Sequence, residues 1–316
     1  YELPLLPPEA AGEYVLHCGL YLKQPAPWAD SGYELMHGSA IIEEIAAGPA
    51  ALPRPSVISR GDTNLGTRGD GFEALFSLAE GGISSLRGPD GRELLCTVPS
   101  LSLFRAPTSN DFGNGDWRRH AVWQAASAYT EGVYEGIDVA DSVPRVRYRH
   151  ELPLTGGAFI DVAYTVLGGG NIRIDMSWQG KAGLPDMPAF GLSLRVPREM
   201  CNIRYYGLGP EENYCDRRHG AYLGLFETTA RANLTPNLLP QECGNREGVR
   251  WLNLTDAHGH GLRVNCVDSP LSVSVLPYSA MELFAARHPD ELPVPAYTYL
   301  DIALRRKGVG GDNSWG

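Results

Sequence analysis

The chain has 316 residues, 43% hydrophobic and 20% charged, with 37 Gly and 24 Pro; it can bury a sizeable core but carries more helix breakers than a helical protein tolerates. A formal net charge of −10 repels nucleic-acid backbones and anionic membrane surfaces, which argues against both as partners and for a neutral ligand. No run approaches the roughly 18 apolar residues of a membrane span.

In chain order, "EYVLHCGLYLKQ" and "GYELMHGSAIIEEI" alternate apolar and polar residues around the Pro-rich "PAPWADS". They predict strands near Glu13 to Leu22 and Gly32 to Glu44. The opening lacks Met and reads as a strand already under way, so a piece of a longer polypeptide is expected. "AAGPAALPRPS" is the candidate domain boundary, dividing a domain over residues 1–50 from a second over 56–316. Beyond it, "GFEALFSLAEGGISSLRGPDGRELL" predicts a strand, a Gly-Gly turn, a second strand and a Pro-Asp-Gly turn. "AFIDVAYTVLGGGNIRIDMSWQG" repeats the scheme with its turn at Gly168 to Asn171, and "WLNLTDAHGHGLRVNC" repeats it with His258 and His260 in the turn. So many hairpins imply an all-β fold, a large antiparallel sandwich or barrel. One helix is expected, in "YSAMELFAARH" from Tyr278 to His288 with Ser279 as its cap.

Four stretches carry candidate chemistry. "RAPTSNDFGNGDW", Arg105 to Trp117, is too polar and too rich in turn formers for a core and reads as a shaped loop. In "YYGLGPEENYCDRR" the neighbouring Glu211 and Glu212 point to opposite faces of an extended segment, so they do not face each other across a sugar as a glycosidase pair must. An ion pair of one Glu with Arg217 or Arg218 is expected instead. "GVGGDNSWG" from Gly308 lacks the Lys-Ser/Thr and helix of a phosphate loop and reads as a glycine turn in which Asp312 and Asn313 bond the backbone. Tyr297 and Tyr299 share one strand face, either packing within the sheet or stacking on a sugar. Cys18, Cys96, Cys201, Cys215, Cys243 and Cys266 are scattered without metal-ligand or CxxC spacing, as expected of reduced thiols in a cytosolic chain. There is no G-x-S-x-G elbow and no dinucleotide fingerprint.

Taken in order, "LFRAPTSNDFGNGDWRRHAVWQAAS", "YYGLGPEENYCDRRHGAYLGLF", "PQECGNREGVRWLNLTD" and "YLDIALRRKGVGGDNSW" resemble the C-terminal region of the large bacterial β-galactosidases of glycoside hydrolase family 2. The resemblance implies that residues 1–50 are the tail of an immunoglobulin-like β-sandwich. It also implies that residues 56–316 are the family's fifth domain, a galactose mutarotase-like supersandwich sometimes called the small chain. The family's catalytic glutamates lie in a preceding TIM barrel, so no catalytic residue, metal or cofactor is expected in this chain. Its expected partners are the remaining domains, the galactoside and further copies of the intact enzyme, in the cytoplasm. The resemblance places Asp111 and Gly113 in a mobile loop, shorter here than in well-known members, with Gly113 as hinge and Arg105 locking Asp111 at its base. It puts Tyr299 where the family usually has a sugar-stacking Trp. Two alternatives remain open. One is a free-standing carbohydrate-binding module using Tyr297, Tyr299, Trp117 and Trp251. The other is a mutarotase-like enzyme pairing His219 or His288 with Glu212 or Glu242.

Overall fold

The computed structural model describes residues 10–46, 57–69 and 71–310. Strands β1 (Gly12–Tyr21) and β2 (Glu34–Ile45) pair antiparallel, as the two alternating runs predict. Strands β3 (Val57–Arg60), β4 (Asn64–Gly69), β5 (Phe72–Ser77) and β6 (Gly82–Arg87) form a four-stranded meander. Strand β7 (Ser100–Ser102) leads into helices α1 (Ser109–Asn114), α2 (Asp116–Arg119) and α3 (Ala121–Tyr129). A second meander follows, of β8 (Gly132–Ala140), β9 (Val143–Glu151), β10 (Phe159–Gly168) and β11 (Asn171–Ser177).

The remaining elements are β12 (Ala189–Pro197), β13 (Asn202–Gly209), β14 (Tyr222–Thr229), β15 (Asn245–Val249), β16 (Trp251–Thr255), β17 (Gly261–Asn265), β18 (Leu271–Leu276), helix α4 (Ala280–Ala285) and β19 (Tyr297–Arg306). They build a five-stranded sheet in the order β15-β18-β19-β12-β7 and a four-stranded sheet in the order β14-β13-β16-β17. Every strand pair is antiparallel. The chain is therefore all-β with a small helical insertion, and no helix among the described residues is long and apolar enough to cross a membrane.

Alternation is what makes these segments strands. On β10, Ile160, Val162, Tyr164 and Val166 are almost fully buried at every second position, and each such side chain contributes roughly 1.5–3 kcal/mol on leaving water. They join Phe76 of β5, Tyr148 of β9, Val196 of β12, Leu254 of β16, Val275 of β18 and Leu300 of β19 in one core, closed at one end by Trp123 of α3. A smaller cluster of Ala106, Cys243, Leu276, Tyr278 and Leu283 seats α4.

The expected helix at 278–288 is present but shorter. Ser279 and Glu282 form a capping box, and the chain turns extended at Ala286. The stretch read as a shaped loop is instead largely helical from Ser109 to Tyr129. The signal was there: Thr108 and Asp111 make the same reciprocal box, Thr108 accepting from the Asp111 amide while the Asp111 carboxylate accepts from the Thr108 amide. Two glycines masked it, because Gly disfavours a helix interior. Gly113 is one of them, and it lies inside α1 with nothing near the place of a Cβ. The left-handed backbone belongs to Gly115, φ 80°, which separates α1 from α2. The boundary stretch beyond Ala46 and the turn containing Asp312 and Asn313 lie outside the described residues.

Gly191 on β12 shows how closely β19 is applied. An added Cβ there would fall on the Ile302 carbonyl oxygen and within 2.6 Å of Ala303 Cα, both backbone atoms that cannot swing aside. Gly191→Ala is therefore expected to cost about 1–3 kcal/mol, seen as a lower urea midpoint with an unchanged slope.

Candidate functional site

Three of the four stretches singled out by sequence meet at one region, joined by charged and polar side chains; Tyr297 and Tyr299 lie further back along β19. Arg105, 3% exposed, follows β7. Its guanidinium donates to both oxygens of Asp111, at 2.6 and 3.2 Å, and to the carbonyls of Ala106 and Gly308, at 3.2 and 2.6 Å. Burial alone would raise the Asp111 carboxyl. The Arg105 charge, with bonds from Arg105 and from the Thr108 amide and hydroxyl, outweighs it and holds the group below its usual range. Arg105 thus locks Asp111, as the sequence suggests, and also reaches the segment after β19.

That segment is held from several sides. Asn110 Nδ2 donates to the Val309 carbonyl at 3.0 Å. Asp216 accepts from the amides of Val309 and Gly310 at 3.3 and 3.0 Å. Lys307 Nζ donates to Asp116 Oδ2 at 2.8 Å. Gly308 packs so closely on the Asp216 carboxylate that a Cβ has no room. The Asp of "NYCDRR" therefore serves as an acceptor for the backbone of "KGVGG".

The glutamates are occupied in the same way. Glu212 accepts from Arg217 Nη2 at 2.6 Å, Thr235 Oγ1 at 2.9 Å and the Gly244 amide at 2.7 Å, and these bonds lower its carboxyl against the opposing effect of burial. The expected pair with Arg217 is thus present. Glu242 is buried against Arg306 at 3.0 Å, and the Tyr214 hydroxyl donates to it at 3.4 Å; burial pushes its carboxyl up. His288 sits beside Asp290 at 3.4 Å. Among the described residues, neither His219 nor His288 shares a hydrogen bond with Glu212 or Glu242. Asn213, which sequence reasoning passed over, closes the "GPEEN" turn by donating to the carbonyls of Leu208 and Glu211 and accepting from the Glu247 amide. Arg246, also missed, is buried and donates to the Tyr205 hydroxyl and Asn233 Oδ1, both at 2.9 Å. An Arg in "GNREG" signals a buried fork only once its partners 41 and 13 residues away are known to adjoin it.

Tyr299 lies on β19 opposite Arg195 of β12 and Leu276 of β18. The Arg195 guanidinium stands 5.6 Å from the ring centre, and the Tyr297 ring meets it edge-on at 6.2 Å. Only 6% of Tyr299 is exposed. Burial first, then the Glu282 carboxylate of α4, push its hydroxyl up. Next to it α4 joins the helical insertion through Phe284, whose ring lies parallel to Phe112 at 6.3 Å and edge-on to Phe104 at 5.9 Å. Asp111 and Gly113 thus lie on α1, which meets α4 through this ring pair, while Tyr299 lies on β19.

The β-galactosidase small chain family matches residues 68–316 of this sequence. The chain belongs to that family. It is 34% identical to the β-galactosidase small subunit of Latilactobacillus sakei over 287 residues, covering 81% of this chain and 89% of that one. It is 39% identical to the β-galactosidase BgaC of Bifidobacterium adolescentis over 315 residues and 36% identical to the β-galactosidase of Halalkalibacterium halodurans over 310 residues. Those two matches cover 96% and 97% of this chain, which spans only 30% of the length of each relative. Among solved structures, YeaD of Salmonella typhimurium, which carries a mutarotase name, matches 81% of this chain and 90% of its own at 12% identity and a TM-score of 0.35, a likeness too distant to carry an argument.

Removing one member of the buried pair leaves the other charge uncompensated. Asp111→Ala is expected to cost about 3–5 kcal/mol, whereas Arg105→Met with Asp111→Leu costs less; thermal unfolding of the two variants measures the difference. Because the folded Asp111 carboxyl lies below its ordinary 3.8, its contribution is fully present above that value and is lost as pH falls through the lower folded one. Acid unfolding of the wild-type chain should show this loss, and that of the double variant should not.

Proposed function

We propose that this chain is the non-catalytic C-terminal part of a β-galactosidase of glycoside hydrolase family 2. In this reading it completes the galactoside pocket, while the catalytic carboxylates belong to a barrel elsewhere in the assembly. The observation that carries it is a pair of matches: 30% of the length of single-chain β-galactosidases, and 89% of a separate small subunit. The geometry is compatible with it, since Glu212 and Glu242 are engaged by internal partners.

In this reading residues 1–50 end an immunoglobulin-like domain and 56–316 form the family's supersandwich. Two facts favour the division: the family match begins at residue 68, and the small-subunit match covers 81% of the chain. Outward-facing Leu20, Tyr21, Trp28, Tyr33, Leu35 and Met36, each more than half exposed on the β1–β2 hairpin, are then the surface on which the rest of that domain packs. The hairpin is anchored to the supersandwich by Glu13, which accepts from the Tyr206 hydroxyl at 2.6 Å and from Arg250 Nε at 3.1 Å. The intact enzyme is proposed to be a cytoplasmic homo-oligomer. Tyr299 stacks on the bound sugar, and the mobile segment moves about Gly113 while Arg105 holds Asp111 at its base.

The test is complementation. This chain, a separately expressed preceding region and their mixture are assayed on nitrophenyl galactoside. Cleavage only in the mixture is expected, and turnover by the chain alone would overturn the proposal. In the active mixture, Tyr299→Ala should raise KM for lactose about fivefold with a smaller effect on kcat, the loss of about 1 kcal/mol of ring stacking.

A further inference from the structure

A cavity of about 500 Å³ opens beside the helical insertion, lined by Asp116, Arg119, His120, Leu184, Asp186 and Lys307. None of these residues has a part in the stacking or locking roles given to Tyr299 and Asp111. Lys307 follows the end of β19, eight residues beyond Tyr299, which along a strand is about 26 Å. The volume falls within the roughly 300–1,000 Å³ of small-molecule sites.

The walls are held by the fold. Trp123, 1% exposed, donates its indole N–H to the Pro185 carbonyl at 3.1 Å, fixing the 183–186 loop to α3. The Lys307 amide donates to the Pro188 carbonyl at 2.7 Å, fixing the opposite side. Inside, Lys307 Nζ lies between Asp116 Oδ2 at 2.8 Å and His120 Nε2 at 3.5 Å. The Asp116 side chain is 8% exposed. Its other oxygen, Oδ1, is enclosed and ion-paired with the guanidinium of the largely exposed Arg119. Burial first, and then the Lys307 charge, push His120 down to about 4, so its ring is neutral at physiological pH.

The lining therefore balances two cations, Lys307 and Arg119, against two carboxylates, Asp116 and Asp186. A charged ligand would enter with no counter-charge to spare, and a hydrocarbon would strand the polar groups. A hydroxyl both donates and accepts, so a polyol can give a hydrogen bond to Asp186 while accepting from Lys307 and Arg119. We propose that this cavity is a binding site for a neutral polyhydroxylated ligand of monosaccharide size, with Lys307, positioned by Asp116, and Arg119 as its donors and Asp186 as the acceptor at its mouth.

The test is calorimetric titration of the full chain with galactose, galacturonate and galactosamine. Galactose should bind at millimolar concentration, and the anionic and cationic analogues at least about tenfold more weakly. Lys307→Gln and Asp186→Ala should each weaken galactose about tenfold, the loss of one hydrogen bond to a charged group. Asp186 is exposed, so its variant tests the site without endangering the fold. Tyr299→Ala should leave this binding unchanged, which separates it from the stacking role proposed above. Unchanged galactose affinity in both cavity variants, tighter binding of either charged analogue, or absence of galactose binding would overturn the proposal.

Discussion

One buried cation organises this region of the molecule. Arg105 reaches Asp111, six residues ahead, and the Gly308 carbonyl, 203 residues away, so a single guanidinium unites the end of β7, the first turn of α1 and the segment after β19. A planar fork does this where an ammonium cannot, because its two terminal nitrogens reach acceptors on different segments. Once the pair is buried its members depend on each other, since either alone would be an uncompensated charge in a site closed to water. The Thr108–Asp111 cap, the Asn110 bond to Val309 and the Asp216 bonds to Val309 and Gly310 extend the same arrangement outward.

The same arrangement shows what the carboxylates in suggestive motifs do here. Asp216 holds backbone amides, Glu212 holds a backbone amide and two side chains, and Glu242 neutralises Arg306. Each of these groups is engaged by internal partners and so contributes to the shape of the region. In the proposed reading, polar residues that fix loops suit a partner that supplies walls and rings to another domain's chemistry. Membership of the small chain family fits that division of labour.

Much of the architecture was legible in advance, and the helical insertion shows where legibility failed. The hairpins at 71–95, 158–180 and 251–266 read correctly because strand periodicity and turn residues act within a few positions. The α4 cap read correctly for the same reason. Arg105 to Trp117 reads as a loop by composition because Gly113 and Gly115 outweigh the Thr108–Asp111 box, although the chain is helical from Ser109. The structure gives these glycines different tasks: Gly115 needs its left-handed backbone, while Gly113 lies within a helical turn. For the site, Arg105 with Asp111 and Glu212 with Arg217 could be paired from sequence because they are close along the chain.

By itself, then, the sequence determined the all-β class, the order of hairpins, the helix cap at Ser279, the short-range ion pairs and the family. Tertiary structure alone decided that Asp216 would hold Val309 and Gly310, that Glu242 would meet Arg306, that Tyr299 would lie under α4 facing Arg195, and that Lys307 would close a cavity with Asp116 and His120. The physical reason is range. Backbone propensity and alternation are read over a turn or a strand, whereas the partner of a buried charge is whichever group the packing of distant sheets delivers, and no local pattern encodes it.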